Sequence, residues 1–366
     1  MRGWRRWIPA AAVPAAIAVG LLAGGASAVV APPPPATPEQ VLALVAGNAT
    51  RTDARQFSGT LEQRTDLGLP AIPAQTLGPG SGGPATGPEA AVLELLTVPH
   101  TARVYADGPE HVRVQVIDQL AERDLVRNGR DVWTYDSKAN AVMHAVLPDR
   151  TLSHGSPGAT APAAPTASPD DLARRLLAAA DPSTEVTLGA PVVVAGRSAY
   201  ALVLTPRTAG TLVDRVQIAV DAASGMPLAV DVYAKGQAVA AFHAGFTSLS
   251  FGAPDPALFT LVPPPGATVT EKQIPADAVP PHAGTSPGDH PTPDVGHAPG
   301  WDAIAVIPAD RVPPDVLASP LVQQLAVPAA RGRLLSSSLV NILLADDGRV
   351  LVGAVPASAL EAAAAR

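Results

Sequence analysis

Residues Val213 to Val262, VDRVQIAVDAASGMPLAVDVYAKGQAVAAFHAGFTSLSFGAPDPALFTLV, hold three β-strand patterns in succession with turn chemistry between them. Val216, Ile218 and Val220 alternate with Arg215, Gln217 and Ala219, the period of two expected of a strand with one face in a core. Asp221-Ala-Ala-Ser-Gly225 then supplies a turn, Gly225 being the residue best able to take a positive φ. Leu228, Val230 and Val232 mark one face of the next strand. Lys235-Gly236 turns the chain again into a longer strand from Ala238 to Phe251. The stretch predicts an antiparallel meander.

The same grammar extends upstream. His100 to Pro148 reads as a second meander, with strands at Ala102 to Tyr105, Glu110 to Ile117, Ala121 to Arg127, Asp131 to Tyr135 and Val142 to Leu147. Asp107-Gly108, Asn128-Gly129 and Asp136 to Asn140 separate them, and Asn-Gly between strands is a strong hairpin signal. Trp133 and Tyr135 share a face of their strand, with Val132 and Thr134 opposite. Thr184 to Val194 and Ser198 to Thr205 add further strands, the second with Tyr200, Leu202 and Leu204 on one side.

Two helices accompany the strands. Thr37-Pro38-Glu39-Gln40 is a helix start, Thr37 capping, Pro38 in the first position and Gln40 in the third, as in a capping box. Val41, Leu44, Val45 and Asn48 then fall on one face, and Phe57 to Arg64 follows as a strand. Ser168-Pro169-Asp170-Asp171 begins a second helix with Leu172, Leu176 and Ala179 along one side and two acids placed to suit its dipole.

Between these elements the composition changes. Pro32 to Pro35 is a stiff spacer within 29–36. Leu67 to Ala90 is a Pro/Gly-rich insertion expected to be a mobile loop, and Ser153 to Ser168 is a linker of Ser, Pro, Ala and Gly. Pro263 to Gly300, rich in Pro, Gly, Asp and His, is expected to be a disordered linker. Beyond it, residues 301–366 form a small module: Trp301 to Ile307 is apolar, Arg333 to Val355 reads as a hairpin closed by Asp346-Asp347-Gly348, and a helix runs from Ala357 to Ala365. Either this module is independent or it docks on the main sheet.

Length allows two domains, and a hydrophobic content of 47% suffices for a sizeable core. Arginines outnumber the three lysines, Lys138, Lys235 and Lys272, a bias that resembles high-GC bacteria. The formal charge is -7, and loss of residues 1–28 would remove Arg2, Arg5 and Arg6 but no acid, taking it to -10. Such a balance without a basic patch argues against nucleic-acid binding. The absence of cysteine excludes disulfides, thiol catalysis, Cys-based metal sites and an acylated Cys anchor. Met1 to Arg6 is basic, Trp7 to Leu22 apolar and Ala26-Ser27-Ala28 a small-x-small site, so residues 1–28 read as an export signal. An uncleaved transmembrane anchor is the alternative, since Ile8 to Ala31 carries no charge. Both place the body outside the cytoplasm, secreted or anchored to the outer face of the membrane.

The order of strand, Asp-x-x-x-Gly-x-Pro-Leu turn, strand ending Val230-x-Val232-Tyr233, Gly turn, long strand, Asp255-Pro-Ala-Leu-Phe259 and Pro-rich exit resembles the C-terminal half of the LolA-like lipoprotein-carrier superfamily. That superfamily includes LolA, the RseB/MucB N-terminal domain and the LppX/LprG lipoproteins. The helix-then-strand opening at Thr37 is also similar to it, so the resemblance spans about Thr37 to Val262. It implies an α+β fold, a half-open antiparallel β-barrel whose curved sheet carries helices over its concave face, here with a small C-terminal β-hairpin module and, by composition, an actinobacterial member. The insertion at Leu67 to Ala90 and the module after Trp301 depart from the minimal carrier.

Motifs of catalysis fail on context. Gly284-Thr-Ser286-Pro-Gly288 matches G-x-S-x-G without the strand and helix that a nucleophile elbow needs. Gly78-Pro-Gly80-Ser-Gly82-Gly83 satisfies G-x-G-x-x-G but follows no strand and opens no helix. His282, His290 and His297 sit in the linker without a fixed frame, and the other five histidines have no ligand spacing. Asp170-Asp171 and Asp346-Asp347 are explained by a helix start and a turn. No catalytic, cofactor or metal site is assigned, and no cofactor is expected.

The resemblance instead implies an apolar cavity, with Val114, Val116, Trp133, Tyr135, Tyr200, Leu202, Leu204, Val230 and Val232 as candidate lining. Ordinary core packing is the competing reading of each. One buried acyl chain of about fourteen methylenes would contribute on the order of 11 kcal/mol before binding losses. Two functions follow from the resemblance: a non-enzymatic carrier whose partner is a lipid or acylated lipoprotein, or a regulator similar to RseB/MucB whose partner is a membrane anti-sigma factor.

Overall fold

The computed structural model describes residues 30–48, 55–68, 99–118, 121–147, 168–170, 173, 183–273, 300–312 and 325–366. The export signal, most of the insertion at 67–90, all but the last residue of the linker at 153–168 and the histidines 282, 290 and 297 lie outside them, as do both glycine-rich motifs. The chain divides into two units, Met1–Pro32 and Pro33–Arg366, and all the elements below belong to the second.

In chain order these are α1 (Pro38–Asn48), β1 (Gln56–Thr65), β2 (His100–Asp107), β3 (His111–Asp118), β4 (Ala121–Asn128), β5 (Asp131–Asp136) and β6 (Ala141–Val146). There follow β7 (Thr184–Leu188), β8 (Val192–Val194), β9 (Arg197–Pro206), β10 (Val213–Asp221), β11 (Pro227–Ala234), β12 (Phe242–Phe251), a 3-10 turn at Pro256–Phe259 and β13 (Thr268–Gln273). The C-terminal part holds β14 (Ile304–Ile307), β15 (Val327–Ala329), β16 (Gly332–Ser336), β17 (Asn341–Ala345), β18 (Val350–Gly353) and α2 (Ala357–Ala364).

Among the described residues thirteen strands form one sheet, ordered β13-β6-β5-β4-β3-β2-β1-β12-β11-β10-β9-β7 with β8 paired to β9. Consecutive hairpins build both halves, and β1 against β12 joins them. The path ends at β13 and β7, so the sheet is open. This is an antiparallel-rich sheet with few helices, the architecture expected of a LolA-like open barrel. All its pairs are antiparallel except β13 on β6, which is parallel. Thr268–Gln273 lies inside the Pro263 to Gly300 tract expected to be disordered, and is instead an edge strand. A six-residue edge strand carries little periodic signal, and Pro and Gly on either side hide it.

Local chemistry explains the elements that were legible. Thr37 N–H donates to Gln40 Oε1 at 2.9 Å and Gln40 N–H to Thr37 Oγ1 at 3.4 Å, the reciprocal capping box. Gly225 takes φ 75°, and the turn is closed by Asp221, whose Oδ2 accepts from Ser224 N at 2.8 Å and Ser224 Oγ at 2.7 Å. Arg197 adds a bidentate bond to the same carboxylate at 2.8 and 2.9 Å. The long strand begins at Phe242 rather than Ala238, because pairing with β11 starts only where Phe242 meets Val232.

The C-terminal hairpin β17–β18 turns at Asp346 to Gly348 and is part of a five-stranded sheet, β14-β18-β17-β16-β15, backed by α2. Leu343, Leu351, Val355 and Leu360 make its own small core. It docks on the main sheet. Trp301 Nε1 donates to Thr184 Oγ1 at 2.8 Å, Leu212 N to Ala354 O at 2.7 Å and Ser338 N to Leu67 O at 2.8 Å. Leu339 is buried in the main core, with Trp301 and Ala354 packed beside it.

Candidate lipid-binding face

Residues directly opposite one another in neighbouring strands point to the same side of a sheet, so register assigns every side chain to a face. One row runs Leu249, Gly59, Val104, Val114, Leu125, Thr134, Met143, Thr270 across eight strands from β12 to β13. Gly59 alternates with Leu61 and Gln63 on β1, and Gln63 begins a second row: Gln63, Ala244, Val230, Ile218, Leu202, Leu188. Beside it lies a third, Thr65, Phe242, Val232, Val216, Leu204, Val186. The two halves of the sheet therefore present one continuous, mainly apolar face.

Of the nine sequence-predicted lining residues, Val114, Val116, Tyr200, Leu202, Leu204, Val230 and Val232 share this face. They fall into two packed groups. Tyr200, Leu202, Leu204 and Val230 are buried in a cluster with Val41 and Val45 of α1, Ala173 and Leu339, and Val232 packs against it. Tyr200 also donates its hydroxyl to Pro34 O at 3.0 Å. This end of the face is filled with protein side chains. Val114 and Val116 belong to a second cluster with Leu61, Ala102, Leu228 and Phe246.

Trp133 and Tyr135 stand on the other face, because Thr134 between them is the residue opposite Leu125. Trp133 stacks on His144 with centroids 3.8 Å apart and planes at 11°. Alternation within a strand is visible in sequence, but the parity between two strands depends on register, which the sequence of either strand does not state.

Past the filled end, the face carries a cavity of about 460 Å³ at β4, β5, β6 and β13. Its border includes Arg123, Leu125, Thr134, Asp136, Ala141, Met143 and Thr270 of this face, together with Asp124, Tyr135 and Val142. The volume lies within the roughly 300–1,000 Å³ of small-molecule sites, and the lining sets Leu125, Ala141, Val142 and Met143 beside the polar Arg123, Asp124, Thr134, Tyr135, Asp136 and Thr270. Leu125, Thr134, Met143 and Thr270 are residues that sequence reasoning missed. A Leu-x-x-x spacing or a lone Met carries no signal until the strands are in register.

Electrostatics around the cavity is set from the opposite face. Asp124 is buried and accepts from Arg113 at 2.6 and 3.2 Å, while Arg113 also donates to Leu258 O at 3.0 Å. Burial raises the Asp124 pKa, outweighing the lowering by Arg113. His144 is bonded through both ring nitrogens, Nε2 to Asp131 Oδ1 at 2.8 Å and Nδ1 to Glu271 Oε2 at 2.9 Å. Burial pushes its pKa down, but the two carboxylates outweigh this and raise it. Among the described residues no group of three or more His, Asp or Glu side chains is placed to hold a metal ion, and no helix is long and apolar enough to cross a membrane.

No protein-family model and no curated protein matches the chain. Several solved structures are similar to it. MucB in its complex with MucA from Pseudomonas aeruginosa aligns at 18% identity and TM-score 0.40, covering 89% of this chain and 96% of that one. A LolA superfamily protein from Nitrosomonas europaea aligns at 12% identity and TM-score 0.23 over 62% of this chain and 99% of its own. A DUF1329 family protein from Desulfovibrio piger aligns at 11% identity and TM-score 0.23 over 61% and 96%.

Proposed function

We propose that the protein is an extracytoplasmic, non-enzymatic binder of a lipid or an acylated lipoprotein, holding acyl chain in the cavity on the continuous apolar face. The observation that carries this reading is the placement of a cavity of about 460 Å³ at the other end of that face, with Leu125 and Met143 among its lining. Apolar area removed from water is the driving force, at about 0.8 kcal/mol for each methylene. Such a site asks no chemistry of its residues. The packed end, with α1 and Leu339 over Leu202 and Ile218, would serve as the rigid wall against which the open end is shaped.

Native mass spectrometry with lipid extraction, on the full chain purified from membranes of its host, tests this. Acylated molecules at fixed stoichiometry support the proposal and name the cargo class. A lipid-free protein that also fails to take up a fluorescent C18 fatty acid sinks it.

A regulatory role like that of RseB/MucB is the second reading, favoured by the five-stranded module docked through Trp301, Leu339 and Ala354. Capture of a membrane anti-sigma protein that is lost on truncation after Gln273, while acyl binding persists, would favour it over the carrier.

A further inference from the structure

His144 sits on β6 between two strands, and each neighbour offers it a carboxylate: Asp131 from β5 at 2.8 Å and Glu271 from β13 at 2.9 Å. A neutral imidazole has one N–H and one lone pair, so it satisfies only one of these acceptors and turns its lone pair on the other. The imidazolium donates to both. Trp133 stacks on the ring, with centroids 3.8 Å apart and planes at 11°. β13 has β6 as its partner and ends the sheet, so among the described residues it is held from one side. Its Thr270, adjacent to Glu271, is a wall of the cavity.

We propose that protonated His144 is a staple that fastens β13 to β5 and β6, and that loss of its proton frees this wall of the cavity. The bearing on acyl uptake rests on the function proposed above, whereas the staple itself stands on the geometry. Other charged groups around the ring are already engaged. Asp124 and Arg113, on the same face two and three strands away, pair with each other, and Arg130 donates to Leu147 O at 2.8 Å. Lys272 and Arg127 stand on the other face, opposite Ala145 and Val132. Of the strand residues opposite Trp133 and Asp131 on β4, Val126 and Asn128 do not titrate.

The sign follows from a raised imidazole pKa. The staple is complete below the ordinary histidine pKa of about 6.5 and is lost as pH rises through the higher folded value. Acid therefore closes the wall and alkali loosens it.

Lys272 lies within β13, which makes tryptic cleavage after it a direct readout of strand release. Cleavage of the full chain, normalised to a free peptide of residues 266–276 to remove the pH dependence of trypsin, is expected to be about ten-fold faster at pH 9 than at pH 6.5. Glu271→Gln, at a side chain 70% exposed, is expected to keep its circular dichroism. It should be cut at pH 6.5 as fast as the unchanged protein is at pH 9, and to titrate His144 about one unit lower by NMR. Normalised cleavage that is flat across pH and unchanged by Glu271→Gln overturns the staple. Uptake of a fluorescent C18 fatty acid that follows the cleavage curve supports the cavity-wall role. Uptake that ignores pH while cleavage shifts overturns that role alone, and no uptake under any condition overturns the proposed function while leaving the staple standing.

Discussion

Asp221 shows how one residue can hold a turn, a strand end and a neighbouring strand together. Its side chain is 2% exposed, yet it is charged, because Arg197 and Ser224 supply its bonds. Burial pushes its pKa up, and these partners more than reverse the effect, leaving it lowered. A lowered carboxylate pKa adds stability above the unfolded value near 3.9, and this is lost as pH falls through the folded value. Asp221→Asn is therefore expected to cost about 1–3 kcal/mol at neutral pH, since it takes the buried carboxylate charge from the half-buried Arg197 guanidinium and weakens its bonds. In urea titrations the gap from the unchanged protein should close below about pH 4. Gly225, at the end of the same turn, was legible as a positive-φ site. What could not be read is that a side chain there would run into the backbone of Leu44 in α1. Gly225→Ala thus meets both strain and collision, and should lower stability by more than the roughly 1 kcal/mol of a left-handed alanine alone.

Elements were read well where a local rule governs them and poorly where a neighbour does. The capping box of α1 is a contact between residues three apart, so sequence states it directly. Thr37→Ala is expected to cost about 1 kcal/mol in chemical denaturation. An eleven-residue helix is marginal by itself, and Val41 and Val45 hold it on β7 and β9. Hairpins at Gly108, Asn128-Gly129 and Gly225 were equally legible from turn chemistry. β13 was not: its partner lies 127 residues earlier, and nothing in Thr268–Gln273 names β6. His144 was passed over for the same reason, its carboxylates being 13 and 127 residues away.

For the whole molecule, the question is which part of the apolar face is core and which is site. Leu202→Ala, in the filled end, should cost about 2–5 kcal/mol by thermal or urea unfolding. Met143→Trp, in the cavity lining, should leave the melting temperature within a few degrees and reduce fluorescent fatty-acid uptake at least ten-fold by filling the space; unchanged uptake would place the ligand elsewhere. Truncation after Gln273 removes Leu339 and Trp301 from the main core, and is expected to lower the melting temperature and expose surface that binds a hydrophobic dye.

The sequence by itself determined the antiparallel meanders, the helix start at Thr37, the turn glycines and the apolar stock of the sheet, because each depends on residues a few positions apart. Tertiary structure alone decided that seven of the nine apolar candidates share a face and that Trp133 and Tyr135 do not. It also decided that the C-terminal module docks, that β13 forms one edge, and that Leu125 and Met143 line a cavity. These are matters of strand register and of which distant surfaces meet, and a period of two repeats identically whichever partner a strand takes and whether the face beyond it is filled or open.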